Sequence, residues 1–168
     1  QQAEDPRSAD QVLSALRSAG GLNTEEFDQW IASLIQQGRW GEAYSRWAGT
    51  LELGQGGLPL IYNGQFEQLP SARGFDWRLL RIPGVSLDFH EDPGVKGRAA
   101  RAVFRGRPVA QVNLEQPLLL GPGTYRFSAR MRGQALRSER GLEWAITCLG
   151  QSVPLATSPP LQGTFDWR

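Results

Sequence analysis

The sequence predicts an α+β protein, with antiparallel helices at the N-terminus followed by an antiparallel β-sandwich of the jelly-roll kind. Three observations predict it. Apolar residues recur at helical spacing between residues 9 and 47. A Gly-Gln-Gly-Gly-Leu-Pro stretch at 54–59 interrupts the pattern. Beyond it the period falls to two, in short runs separated by glycine and proline, as in antiparallel sandwiches. The chain therefore divides into a helical region, 1–55, and a β-rich body, 56–168. The body has no helix long enough for a crossover, which excludes a parallel sheet.

The elements follow in order. Ser8 and Gln11 have the spacing of a capping box, in which side chains satisfy the free amides of a first helical turn. Ala9, Val12, Leu13 and Leu16 follow as one stripe, stopped at Gly20-Gly21. Asn23 and Glu26 repeat the device ahead of Phe27, Trp30, Ile31, Leu34 and Ile35, with Gly38 as the stop. A third stripe is Trp40, Ala43, Tyr44 and Trp47. Short connections make neighbouring helices antiparallel. In the body, alternation predicts strands over 85–89, 100–105, 110–114, 125–132 and 142–148. Pro93-Gly94, Gly106 to Pro108, Gly121-Pro122-Gly123, Gly133, Gly141 and Gly150 supply the turns.

Composition narrows the chemistry. With 40% hydrophobic residues the chain has the make-up of a packed domain rather than a disordered one. The single cysteine, Cys148, excludes a disulfide framework or multi-cysteine zinc site within these residues. The single histidine, His90, excludes a histidine-rich metal centre. No apolar run approaches the ~20 residues of a membrane span. The start at Gln1 reads as a processed or trimmed end. Lys96 is the only lysine among 18 basic residues, the usage of a GC-rich genome. Net charge is +1, but residues 1–55 carry four basic and eight acidic groups, and 56–168 carry fourteen and nine. So modest a charge, almost without lysine, argues against a nucleic-acid partner.

Residues 24–55 resemble one tetratricopeptide hairpin. The resemblance rests on Phe27, Trp30 and Leu34, on Gly38, Trp40 and Ala43 across the turn, and on Trp47. Ile31 departs from the family's small residue, and Gln55 stands where proline is frequent. A single repeat cannot bury both its faces, so the resemblance implies packing on the helix before it and on the body, or a place at the end of a longer array.

Residues 60–168 resemble the jelly rolls of carbohydrate-binding modules in the galactose-binding-domain-like group. The matching pieces, in order, are Leu60 to Glu67 (with its Asn-Gly-x-Phe-Glu string), Phe75-Asp76-Trp77, Gly97 to Phe104, Pro122-Gly123-Thr124-Tyr125 leading to Ser128, and Gly163 to Arg168. The family continues beyond its late tryptophan strand. The resemblance therefore implies a sandwich incomplete at the C-terminus, short of two or three closing strands. It also places Glu67 where such modules offer a carboxylate to a structural calcium ion, which needs six to eight oxygens.

Phe-Asp-Trp-Arg occurs twice, at 75–78 and 165–168. Trp77 and Trp167 are thus either sugar platforms, since flat rings stack on the C–H faces of pyranoses, or packing residues of the sheet. Arg126, Arg130 and Arg132 share one face of the predicted 125–132 strand, and Arg101 and Arg105 behave alike. Such a face suits the carboxylates of an acidic polysaccharide, bound by forked hydrogen bonds. It equally suits a solvated surface with Glu143 or Glu115 as cross-strand partners, or docking on the acidic helices. His90-Glu91-Asp92, ahead of Pro93-Gly94, reads as an exposed turn. No nucleophile elbow, zinc-protease or phosphate-loop motif occurs. The expected function is non-catalytic: carbohydrate recognition by the body and contact with a protein by the helices. The alternative is a structural or assembly module of a bacterial cell envelope or polysaccharide-export system without a glycan site. Either reading places the chain in the periplasm or cell envelope.

Overall fold

The computed structural model describes residues 6–21, 23–51, 57–106, 109–112 and 114–168. Gln55, Asn113 and the Arg107-Pro108 part of one predicted turn lie outside them. The architecture is mixed α+β. Among the described residues three helices, α1 (Pro6–Ser18), α2 (Thr24–Gln36) and α3 (Trp40–Ala48), precede eight short strands. These are β1 (Arg78–Leu79), β2 (Val85–Glu91), β3 (Arg98–Phe104), β4 (Leu114–Glu115), β5 (Gly133–Leu136), β6 (Ala145–Thr147), β7 (Pro154–Thr157) and β8 (Gly163–Phe165). The strands pair as four two-stranded antiparallel sheets, β1–β4, β2–β3, β5–β8 and β6–β7. The chain groups into two compact units, Gln1–Gly123 and Thr124–Arg168. Among the described residues no helix is long and apolar enough to cross a membrane.

In the first unit, α1 begins at Pro6 rather than after Ser8. Proline suits a first helical position because its missing amide has no partner there anyway. Ser8 therefore lies inside the first turn of the backbone rather than ahead of it, and its side chain lies outside the described residues. The predicted α1 stripe is also only partly used. Leu13 packs on the core, whereas Val12 is 58% and Leu16 44% exposed. The helix turns Ser14 toward α3 instead, where Arg46 donates to its hydroxyl at 2.8 Å.

The second capping box forms as the sequence predicts. Asn23 Oδ1 accepts from the Glu26 amide at 3.0 Å, and Glu26 Oε2 accepts from the Asn23 amide at 2.9 Å. Phe27, Trp30, Ile31 and Leu34 are the buried side of α2. The helix ends at Gly38, whose φ of +74° suits glycine, with the Arg39 amide returning to the Leu34 carbonyl at 2.9 Å. Fully buried Ala43 and Trp47 pack α3 against α2.

The core runs on past the helices. Phe75, 2% exposed, sits among Tyr44, Trp47 and Trp40 with ring centroids 5.0, 5.5 and 6.4 Å away. Tyr62 meets Trp47 edge-on at 5.1 Å. The Trp47 indole lies directly on the backbone of Gly74, where a Cβ would collide with the ring.

The β2–β3 hairpin is the longest sheet, in register from Val85↔Phe104 to Glu91↔Arg98. It confirms the alternation at 85–89 and 100–104. The other predicted strands are realised differently. Among the described residues of 110–114 only Leu114 lies in a strand. Residues 125–132 form no ladder, although the Met131 and Arg168 main chains exchange two hydrogen bonds at 3.0 and 3.1 Å. Alternation records which way side chains face, and it does not supply a neighbouring strand.

The second unit is one long two-stranded ribbon. Its pairing runs from Met131–Arg168 through β5–β8 and the Leu142↔Leu161 bridge to β6–β7 and a tip at Cys148–Val153. Phe127 packs edge-on against Trp144 at 5.6 Å. No residue of this unit is fully buried.

Candidate functional site: an arginine-flanked tryptophan

The repeated tetrapeptide makes the same local turn twice. Asp76 Oδ1 accepts from the Trp77 amide at 2.7 Å, and Asp166 Oδ1 accepts from the Trp167 amide at 2.8 Å. A carboxylate bound to the next amide fixes where the tryptophan ring leaves the backbone. The two rings then meet different surroundings.

Trp77, in the first unit, is 6% exposed. Its Nε1 donates to the Asn63 carbonyl at 3.1 Å, and its ring packs on Phe66 at 5.3 Å. Phe66 continues to Phe89 at 5.0 Å. Asp76, 3% exposed, is held by the amide and hydroxyl of Ser71, both at 2.7 Å. This is a packing element, and the reading of Trp77 as a sugar platform is corrected: a buried ring offers no face to a ligand.

Trp167, in the second unit, is half-buried. The main-chain pair Met131–Arg168 sets residues 130–132 across from it. Arg130 and Arg132, on the same side because they are two residues apart, bring their guanidinium carbons to 5.8 and 5.3 Å from the ring centroid. Arg168 stacks on Phe165 in the same way, at 4.3 Å. Arg126 is exposed and takes no part in these ring contacts. The structure thus joins three of the five residues singled out for ligand binding. Trp77 belongs to the core, and Arg126 stands outside the cluster. Further along the ribbon lies a shallow depression lined by Leu136, Arg137, Ser138, Glu139, Gln162 and Gly163.

An indole with guanidiniums within about 6 Å is a cation–π arrangement. Arginine is also the side chain whose forked N–H groups suit carboxylate, phosphate or sulfate. The unit carries six arginines and three acids, so its field favours anions.

The remaining candidates separate from this cluster. Glu67 is exposed, and its main-chain carbonyl accepts from Arg98 at 3.0 Å. Among the described residues no group of three or more His, Cys, Asp or Glu side chains is placed to hold a metal ion. Arg101 makes a forked pair with Asp88, at 2.8 to 3.2 Å, rather than with Glu143 or Glu115. That guanidinium holds the Asp88 carboxyl below its ordinary range. His90 is not in an exposed turn. It lies near the end of β2, half-buried, with Nδ1 3.5 Å from Asp88 and Nε2 3.8 Å from Asp92. Alternation brings 88, 90 and 92 to one side of the strand, a signal present in the sequence once β2 is extended by two residues.

Compared with known proteins, the chain matches no family model, no curated protein and no solved structure.

Proposed function

We propose that this chain is a non-catalytic carbohydrate-binding protein whose ribbon recognises an acidic polysaccharide through Trp167, Arg130 and Arg132. The observation that carries the reading is the half-buried Trp167 ring with two guanidinium groups at 5.3 and 5.8 Å. An indole supplies an apolar plane for a pyranose, and arginine supplies charge-assisted hydrogen bonds to a uronate carboxylate. In this reading the strands of residues 56–168 belong to a jelly roll like those of galactose-binding-domain-like modules. The tetratricopeptide-like hairpin contacts a protein partner, and the setting is the periplasm or cell envelope.

The test is a retention screen on neutral and acidic polysaccharides with the wild type, Trp167→Ala and Arg130→Ala. Retention on acidic polymers that falls at least tenfold in both variants supports the proposal. Absence of wild-type binding to any glycan sinks it. That outcome favours the second reading, an assembly module of a cell-envelope or polysaccharide-export system. A specific observation supports the second reading: Leu149, Val153 and Leu155 at the ribbon tip are 77, 74 and 71% exposed.

A further inference from the structure

We propose that the outer edge of β6 pairs antiparallel with the same edge of a second copy of this chain, in a two-fold register centred on Ile146. Four observations lead there, none of which depends on the glycan reading.

The first is charge. The unit Thr124–Arg168 carries six arginines and three acids, yet residues 144–161 contain no Asp, Glu, Lys or Arg. Strand edges that stay single are usually guarded by charge. This ribbon end is unguarded. A second copy presents an equally neutral edge, so the two approach without repulsion between the arginine-rich bases of the ribbons.

The second is the polarity of the hydrogen bonds. The Trp144 carbonyl accepts from the Ser158 amide at 2.9 Å, and the Trp144 amide donates to Ser158 Oγ at 2.9 Å. Trp144 therefore turns its main chain toward β7. By alternation Ala145 and Thr147 turn theirs away from it. Among the described residues neither makes a main-chain hydrogen bond outside its ladder.

The third is asymmetry between the edges. β7 starts at Pro154 and is followed by Pro159-Pro160, which lack the amide an added strand needs. β6 contains no proline. Within the β6–β7 pair only β6 offers a proline-free edge, and pairing of that edge with its own copy about a two-fold axis closes into a dimer rather than a fibre.

The fourth is register. Centring on Ile146 sets each Ala145 against Thr147 of the second copy, so the outward-facing groups bond to one another. It also brings Glu143 to the end of the second copy's β6, beside Leu149 in its tip turn, and no like charges meet there. The contact of two such short strands is small against the ~800 Å² per partner of a standard interface. The dimer is accordingly weak and concentration-dependent.

Sedimentation equilibrium under reducing conditions, from roughly 5 to 500 µM chain, reads the association. A monomer–dimer equilibrium is expected in the wild type. Leu149→Glu, which sets a second acid beside Glu143, should weaken it at least tenfold. Adding Glu143→Lys to that variant should restore it. Thr147→Pro removes one outward amide and should abolish the dimer, with far-UV circular dichroism reporting whether the ribbon still folds. If it does not fold, the charge exchange at 143 and 149 decides alone. A wild type that stays monomeric throughout overturns the proposal. So does a dimer that reductant dissolves, which would be a Cys148 disulfide. Equal weakening by Leu149→Glu and Leu149→Lys also overturns it, because the tip would then be associating through apolar contact without this register.

Discussion

Replacing Gly74 by alanine tests the contact that ties the helices to the chain beyond them. Two costs meet there. The φ of +53° is one that a Cβ disfavours, by ~1 kcal/mol net of the lower entropy of the unfolded chain. The new methyl would also collide with the Trp47 indole, which is 5% exposed and wedged between Tyr62 and Phe75. Forcing an extra methyl into so packed a place costs ~1–3 kcal/mol. Gly38 is the matched control. Its φ is +74°, but a Cβ there meets nothing within 4 Å. Gly38→Ala should therefore cost ~1 kcal/mol and Gly74→Ala ~2–4 kcal/mol. Urea unfolding followed by tryptophan fluorescence measures both, since Trp30, Trp40, Trp47 and Trp77 all lie in this unit. In a Trp47→Phe background, whose smaller ring opens space, the Gly74→Ala penalty should shrink. Equal losses for the two glycine variants, or an undiminished penalty in that background, would refute the packing argument.

Three further predictions concern the same unit. Asn23→Ala should cost ~1 kcal/mol by removing the α2 capping box, seen as a lower urea midpoint at unchanged slope. Trp77→Phe removes one of the two hydrogen bonds to the Asn63 carbonyl, which keeps the Phe66 amide at 3.1 Å, and should cost ~0.5–1.5 kcal/mol, while leaving any polysaccharide retention at the wild-type level. A matching loss of retention would return Trp77 to the binding site. Hydrogen bonding to Arg39, aided by Arg46, holds the Glu42 carboxyl below its ordinary 4.5. A depressed folded value means that its stabilising contribution is whole above the ordinary value and lost as pH falls through the folded one. The stability gap between wild type and Glu42→Gln should therefore close in acid and narrow with added salt. A gap independent of pH would show that the ion pair contributes nothing.

Local chemistry was legible in the sequence. Asn23 and Glu26 cap α2 because a capping box needs only residues three apart, and β2 and β3 follow from alternation that one hairpin satisfies. The α1 stripe was misleading. Helical spacing shows that Val12, Leu13 and Leu16 share a side, but the bond from Arg46 to Ser14 decides which side meets α3. The site was legible in part for the same reason. Arg130 and Arg132 fall on one side of an extended segment by their spacing alone. That the Trp167 ring meets both guanidinium groups rests on the main-chain pair of Met131 and Arg168, 37 positions apart.

The duplicated Phe-Asp-Trp-Arg marks the boundary between the two kinds of knowledge. The tetrapeptide by itself determined the carboxylate-to-amide turn, which is made within two residues and appears at both sites. It could not determine burial. Trp77 is buried because Asn63 and Phe66, far back in the chain, close over it. Trp167 keeps part of its surface because its neighbours are arginines on a two-stranded ribbon with no second layer of its own. Hydrogen bonds over a few atoms are set by local sequence, whereas the exclusion of water from a ring is set by which distant segments arrive beside it.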